Sequence, residues 1–248
     1  MALRIPKALL EQLRAHGEQT YPHECCGVLV GQFDEAGGKT VEQAIACGNT
    51  RTDSPANRYH ISPAELIRIQ RESALAGRDI VGFYHSHPDW PAKWSTTDLD
   101  EAHWTGCSYV ITSFEKGKAV LTNSSCWSAT SRASTSKTKI SKQSNREEHR
   151  NRKRKKMPIK VLIPTPLRPY AGKQSIIEVS AQTVGEALSN LVAQHPDLRK
   201  HLFSEEGKLR SFVNVYLNDE DIRYLAKDAT PAKETDTITI VPSVAGGV

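Results

Sequence analysis

Apolar positions in the first half of the chain recur with two periods. Residues 6–16 (PKALLEQLRAH) space their apolar residues as a helix does, with charges between them, whereas 27–32 and 41–47 carry β-branched and alternating runs that predict strands. Ser62-Pro63 opens a second helix that runs to about residue 76, because serine suits the N-cap and proline the first helical position. A buried strand follows at 80–84 (IVGFY), then a short helix over 95–102 and strands at 108–114 and 118–122. Strands alternating with helices predict an α/β architecture, a sheet flanked by helices.

The pattern resumes at Met157. MPIKVLIPTPLRPY begins as an alternating strand, 175–179 is a second strand, and Thr183 caps a helix whose apolar residues are Val184, Ala187, Leu188, Leu191 and Val192. Residues 212–217 and 237–244 supply two more strands. Two strands, a helix and two strands is the order of a small α+β β-grasp domain. The chain therefore divides into a first domain at 1–126, a linker at 127–156 and a second domain at 157–248.

Charge sharpens that division. The chain of 248 residues carries a formal +5, yet 127–156 hold eleven Lys or Arg against two Glu, a net of +9, which leaves −4 for the rest. Rich in Ser and Thr and almost without apolar residues, this stretch cannot bury enough surface to fold and reads as a disordered basic linker. Arg152-Lys153-Arg154-Lys155-Lys156 could meet nucleic acid, but the run lacks interleaved aromatics and is read as a solvated tether. No apolar run approaches the roughly 18 residues of a membrane span. The N-terminus mixes charges into an amphipathic helix, so a cytoplasmic protein is expected. Five cysteines, odd in number and without metal-ligand spacing, predict free thiols in a reducing compartment.

The densest chemistry is His85-Ser86-His87-Pro88 with Ser95 and Asp98 downstream. On a strand, His85 and His87 share one face, and Pro88 ends the ladder. Ser95-Thr96-Thr97-Asp98 starts a helix, so Ser95 and Asp98 return to the same side. Two imidazoles and a carboxylate suit Zn2+ and leave a fourth position for water, the pattern of a catalytic site, in which the pKa of that water falls to about 7. Such a site needs a carboxylate base, and Glu24 is the candidate. Ser-x-x-Asp is equally an ordinary capping pattern at a helix start, and His-x-His alone is a weak signal.

Together, HSHPDWPAKWSTTD and the upstream YPHECCG at 21–27 resemble the signature of the JAMM (JAB/MPN) zinc metalloproteases. The resemblance implies His85, His87 and Asp98 as metal ligands, Glu24 as acid/base, Ser95 as donor to the oxyanion, and cleavage of peptide or isopeptide bonds at the C-terminus of ubiquitin-like proteins. The second domain resembles MoaD/ThiS-type, CysO-like ubiquitin-like sulfur carriers over nearly its whole length, most clearly in FVNVYLNDEDIRYL and the VPSVAGG ending. That resemblance implies a diglycine, Gly246-Gly247, whose end is adenylated by an E1-like adenylyltransferase and sulfurtransferase and loaded with sulfur for an acceptor such as a cysteine synthase.

Here Val248 follows Gly247, so the glycine cannot be activated until Val248 is removed. The two halves then suggest the Gly247–Val248 bond as a substrate, cut in cis or in trans, or release of cysteine or other adducts from the carrier. A flexible tether of this length spans roughly 30 Å, which allows cis cleavage. The alternative is a non-enzymatic sulfur carrier attached to an incomplete protease domain, with Met157 as the start of a separate product.

Overall fold

The computed structural model of the chain describes residues 2–126 and 158–247. The linker expected at 127–156, Met157 and Val248 lie outside the described residues. In the first part, β1 (Leu3–Arg4), α1 (Lys7–Thr20), β2 (Cys26–Phe33), β3 (Lys39–Cys47), β4 (Arg58–His60), α2 (Pro63–Leu75), β5 (Asp79–Pro88), α3 (Thr96–Glu101), β6 (Ser108–Glu115) and β7 (Lys118–Cys126) follow one another. Six of the strands form one mixed sheet in the order β1-β3-β2-β5-β6-β7.

β5 is central and is buried over nearly all of its ten residues, as its continuous β-branched and aromatic run requires. It pairs antiparallel with β2 and parallel with β6. Leu13 and Leu29 belong to the core under α1, while Leu66, Ile67 and Ile69 bring α2 onto the opposite core with Phe83, Trp104 and Tyr109. α2 starts where the sequence places it, with the Ser62 hydroxyl accepting from the Glu65 N–H at 3.2 Å. α1 extends beyond the expected end at residue 16 to Thr20, because its closing turns pass Gly17 against the ring of Phe114.

The second part has its own core. β8 (Pro158–Leu162), β9 (Ile176–Ser180), β10 (Val213–Leu217), β11 (Glu220–Asp221) and β12 (Thr237–Pro242) form a five-stranded sheet in the order β11-β10-β12-β8-β9. The parallel β12–β8 pair lies at its centre. Helix α4 (Val184–Gln194) packs Val184, Ala187, Leu188 and Leu191 onto Ile159, Val161, Ile238 and Ile240. This is the β-grasp arrangement. A 3₁₀ turn at Thr165–Tyr170 and the short α5 (Arg199–Leu202) lie on its connections.

One expectation needs correction. The sequence reads 237–244 as a single strand, whereas the chain leaves the carrier sheet after Pro242 and forms a separate strand, β13 (Ala245–Gly247), paired with β4. The turn is fixed by the Ser243 N–H on the Phe212 carbonyl at 2.8 Å and by the Ile61 N–H on the Val244 carbonyl at 3.1 Å. Tyr216, Val241 and Val244 of the second part are thereby buried in the core of the first. Among the described residues no helix is long and apolar enough to cross a membrane.

Candidate active site and metal centre

Strand period places His85 and His87 on one face of β5, and their Nε2 atoms are 3.0 Å apart. His87 Nδ1 lies 2.8 Å from the Pro91 carbonyl, which accepts its proton and leaves Nε2 as a lone pair. Burial lowers the pKa of His85 in spite of the nearby Asp98 carboxylate, so a neutral ring is favoured at His85. Neutral imidazole is the form that binds a metal.

Asp98 comes from the first turn of α3. Ser95 is the N-cap: its hydroxyl accepts from the Asp98 N–H at 2.9 Å, while Asp98 Oδ2 accepts from the Ser95 N–H at 2.9 Å. The capping box is therefore realised, and it leaves Asp98 beside the two histidines, where it could also serve as a ligand. The cap locks the carboxylate so that Oδ1 is 3.2 Å from His85 Nε2 and Oδ2 is 3.5 Å from His87 Nε2. Burial alone would raise the pKa of Asp98, but both histidines and the Ser95 N–H hold it well below the usual carboxylate range.

The fit to a metal ion can be tested on these distances. Metal–ligand bonds of about 2.0–2.2 Å in a tetrahedron put the ligand atoms about 3.3 Å apart. The two Nε2 atoms are 3.0 Å apart and each has one Asp98 oxygen close by, Oδ1 at 3.2 Å from His85 and Oδ2 at 3.5 Å from His87, with one ligand atom from each residue within 4.8 Å of the others. His85, His87 and Asp98, all buried, can hold a metal ion.

Glu24 lies just before β2. Cys26 lies opposite His85, and beside that pair the Ser86 N–H donates to the Cys25 carbonyl (3.1 Å) and the Cys25 N–H to the Ser86 hydroxyl (2.7 Å), so Glu24 follows directly on the end of the β2–β5 pairing. The residue is buried, and its backbone is held by Pro55 and Asn49.

The carrier tail ends in this site. β13 pairs antiparallel with β4, with Ala245 opposite His60, Gly246 opposite Tyr59 and Gly247 opposite Arg58. The Gly247 N–H donates to Asp98 Oδ1 at 2.9 Å, and the Ser95 hydroxyl donates to the Gly247 carbonyl. Tyr59, fully buried, stacks on His85 with ring centres 4.6 Å apart. A Cβ on Gly246 would lie 2.5 Å from Asp98 Oδ1 and 2.8 Å from Tyr59 Cε1. Gly247 has φ +127°, a conformation open to glycine, and a Cβ there would meet the Asn57–Arg58 backbone.

His85, His87, Asp98, Ser95, Gly246 and Gly247 are thus joined by direct contacts, and Glu24 lies buried just before β2. Sequence reasoning missed β4 with Tyr59, and Trp104, whose indole N–H donates to the Pro242 carbonyl at 3.1 Å. A strand of three residues is too short to show a period, and Trp104 reads in sequence as an ordinary core aromatic.

Residues 6–128 match the family described as prokaryotic homologs of the JAB domain, and residues 161–247 match the ThiS family. The sulfur carrier protein CysO of Mycobacterium tuberculosis is 43% identical over 93 residues, covering 37% of this chain and 100% of the relative. The desampylase of Haloferax volcanii is 37% identical over 106 residues, 43% of this chain and 73% of the relative. A probable TtuB-protein conjugate cleaving protease of Thermus thermophilus is 33% identical over 121 residues, 49% of this chain and 76% of the relative.

Proposed function

Since the chain belongs to the prokaryotic JAB-domain family in its first part and to the ThiS family in its second, we propose that it is a zinc-dependent peptidase acting at the C-terminus of its own ubiquitin-like sulfur carrier. One observation carries the reading. The Gly247 carbonyl accepts from Ser95 while the Gly247 N–H is held by Asp98, beside the two histidines. The bond that follows that carbonyl is Gly247–Val248.

Zinc held by His85, His87 and Asp98 would supply a water of lowered pKa and a Lewis acid. The residues of the chain supply the rest. The β13–β4 pairing and the bond from Gly247 N–H to Asp98 orient the scissile carbonyl. Ser95, whose backbone N–H rather than its hydroxyl can satisfy Asp98 Oδ2, turns its hydroxyl proton to the Gly247 oxygen as negative charge develops there. Glu24 takes the proton of the attacking water and passes it to the departing amine.

Removal of Val248 would expose the diglycine to an E1-like adenylyltransferase, and the sulfur then loaded would serve cysteine or cofactor biosynthesis through an acceptor such as a cysteine synthase. The relatives named for desampylation and for cleaving TtuB–protein conjugates support the same reaction with another leaving amine, such as cysteine or a protein adduct released from Gly247 in cis or in trans. The test is intact-mass measurement of metal-free full-length protein before and after addition of Zn2+. The expected result is first-order loss of one valine residue at the C-terminus. A chain that keeps Val248 with zinc bound, and that leaves a carrier–cysteine conjugate uncut, returns the reading to a non-enzymatic carrier.

A further inference from the structure

Apart from the tail, two ion pairs join the carrier to the first part. Arg168, in the turn at Thr165–Tyr170, pairs with Asp79, the first residue of β5. Arg71 of α2 pairs with Asp219 at 3.2 Å and donates to the Asn218 carbonyl at 3.0 Å. Their settings differ. The Arg168 and Asp79 side chains are 14% and 28% exposed, whereas those of Arg71 and Asp219 are 34% and 78% exposed. Exposed pairs on a rim discriminate weakly; a desolvated, hydrogen-bonded pair discriminates strongly, because a wrong partner leaves its charge unpaired. Arg168 is also held from within the carrier, its Nε donating to the Ile163 carbonyl at 3.2 Å.

Asp79 shares a strand with the metal ligands. At about 3.3 Å per residue, the six steps from Asp79 to His85 separate the ion pair from the triad by about 20 Å. The carrier is thus held at two separate places, by Arg168 at the start of β5 and by Gly247 at Asp98 of α3. The end of the tail offers little to read: beyond Val244, which is buried in the core of the first part, it contributes backbone pairing and two glycines, which any diglycine-ending protein would present equally.

We propose that Asp79 is a specificity-determining residue of the docking face, selecting carriers that present a cation at the place of Arg168 over other diglycine-ending ubiquitin-like proteins. The proposal rests on the peptidase reading above, but its test does not require turnover. Full-length chain carrying Glu24→Gln, which keeps the tail intact, is compared with the same chain bearing Asp79→Arg, Arg168→Asp or both. The readout is hydrogen exchange in peptides covering 58–60 and 245–247, the two sides of the docked pair.

Each single charge reversal should speed exchange there by about 10- to 100-fold, and the double reversal should return it to within about threefold of the parent. Rescue by reversal is something a merely structural role would not produce. Asp219→Ala, on the exposed rim, should change exchange by less than about threefold. Protection of the β8–β9 and β10–β12 pairs serves as the folding control. Should Asp79→Arg lose that protection, Asp79→Asn takes its place. Unchanged exchange in the single variants, or a double reversal as fast as the singles, overturns the proposal. A parent chain without Glu24→Gln that never loses Val248, with the exchange pattern intact, overturns the peptidase reading and leaves the docking specificity standing.

Discussion

Replacing Gly246 by alanine perturbs the proposed reaction without replacing a ligand or a proton-transfer group. The added methyl would sit 2.5 Å from Asp98 Oδ1 and 2.8 Å from Tyr59 Cε1. Carbon–carbon contacts are optimal at about 3.5–4.0 Å, so something must yield by about 1 Å. Asp98 is locked by the cap and Tyr59 by burial and its stack on His85, which leaves the tail to move. Withdrawal breaks the bond from Gly247 N–H to Asp98 and the bond from Ser95 to the Gly247 carbonyl. A bond to a charged acceptor contributes about 1.5–3 kcal/mol and a neutral one about 0.5–1.5 kcal/mol, so the loss is about 2–4.5 kcal/mol, or about 30- to 1,600-fold in rate. The assay is the intact-mass time course of Val248 loss after Zn2+ is added to metal-free Gly246→Ala protein. Thermal unfolding should be nearly unchanged for the carrier, because Gly246 lies outside its core. Loss of Val248 within threefold of the parent rate would refute the assignment of Gly246 to the cleft.

Other expectations follow from the same geometry. Glu24→Gln should retain stoichiometric zinc by elemental analysis while losing turnover, whereas His87→Ala or Asp98→Ala should lose the metal as well; unchanged turnover in Glu24→Gln would remove it as the base. Ser95→Ala should slow Val248 loss by about 10²–10³-fold through loss of an oxyanion donor, and cost about 1 kcal/mol of stability as a lost N-cap, read by kinetics and by denaturant unfolding. Burial pushes the thiols of Cys25, Cys47 and Cys107 up to about 11, 12 and 12. The folded state therefore keeps protons that the unfolded chain loses above about pH 8.5, so stability is full below that pH and declines as pH rises through the folded values. Thermal unfolding between pH 8 and 11 measures the decline, and iodoacetamide at pH 8 should leave these three unlabelled until the chain is denatured.

Much of the site was legible before the fold, for a definite reason. His85 and His87 are two residues apart on a strand, and Ser95 and Asp98 three apart at a helix start, so local geometry alone makes each pair share a side. The reading of Ser95-Thr96-Thr97-Asp98 as a cap and as a ligand source did not have to be decided, because the carboxylate that closes the cap also lies 3.2 Å from His85, where it could hold a metal. Where the tail strand ends was not legible. An apolar, β-branched run from 237 onward looks like one strand whichever sheet its members join, and only a partner edge can divide it.

The sequence by itself determined the two patterned segments, the basic stretch between them, the elements that carry His85, His87, Asp98 and Ser95, and the diglycine followed by Val248. These are properties of period, composition and order along the chain. Tertiary structure alone decided that β4 receives β13, that Cys26 comes opposite His85, and that Asp79 and Trp104 meet Arg168 and Pro242 across more than eighty residues. Such contacts join short or aperiodic segments whose pairing depends on where the rest of the chain folds, so no local pattern encodes them.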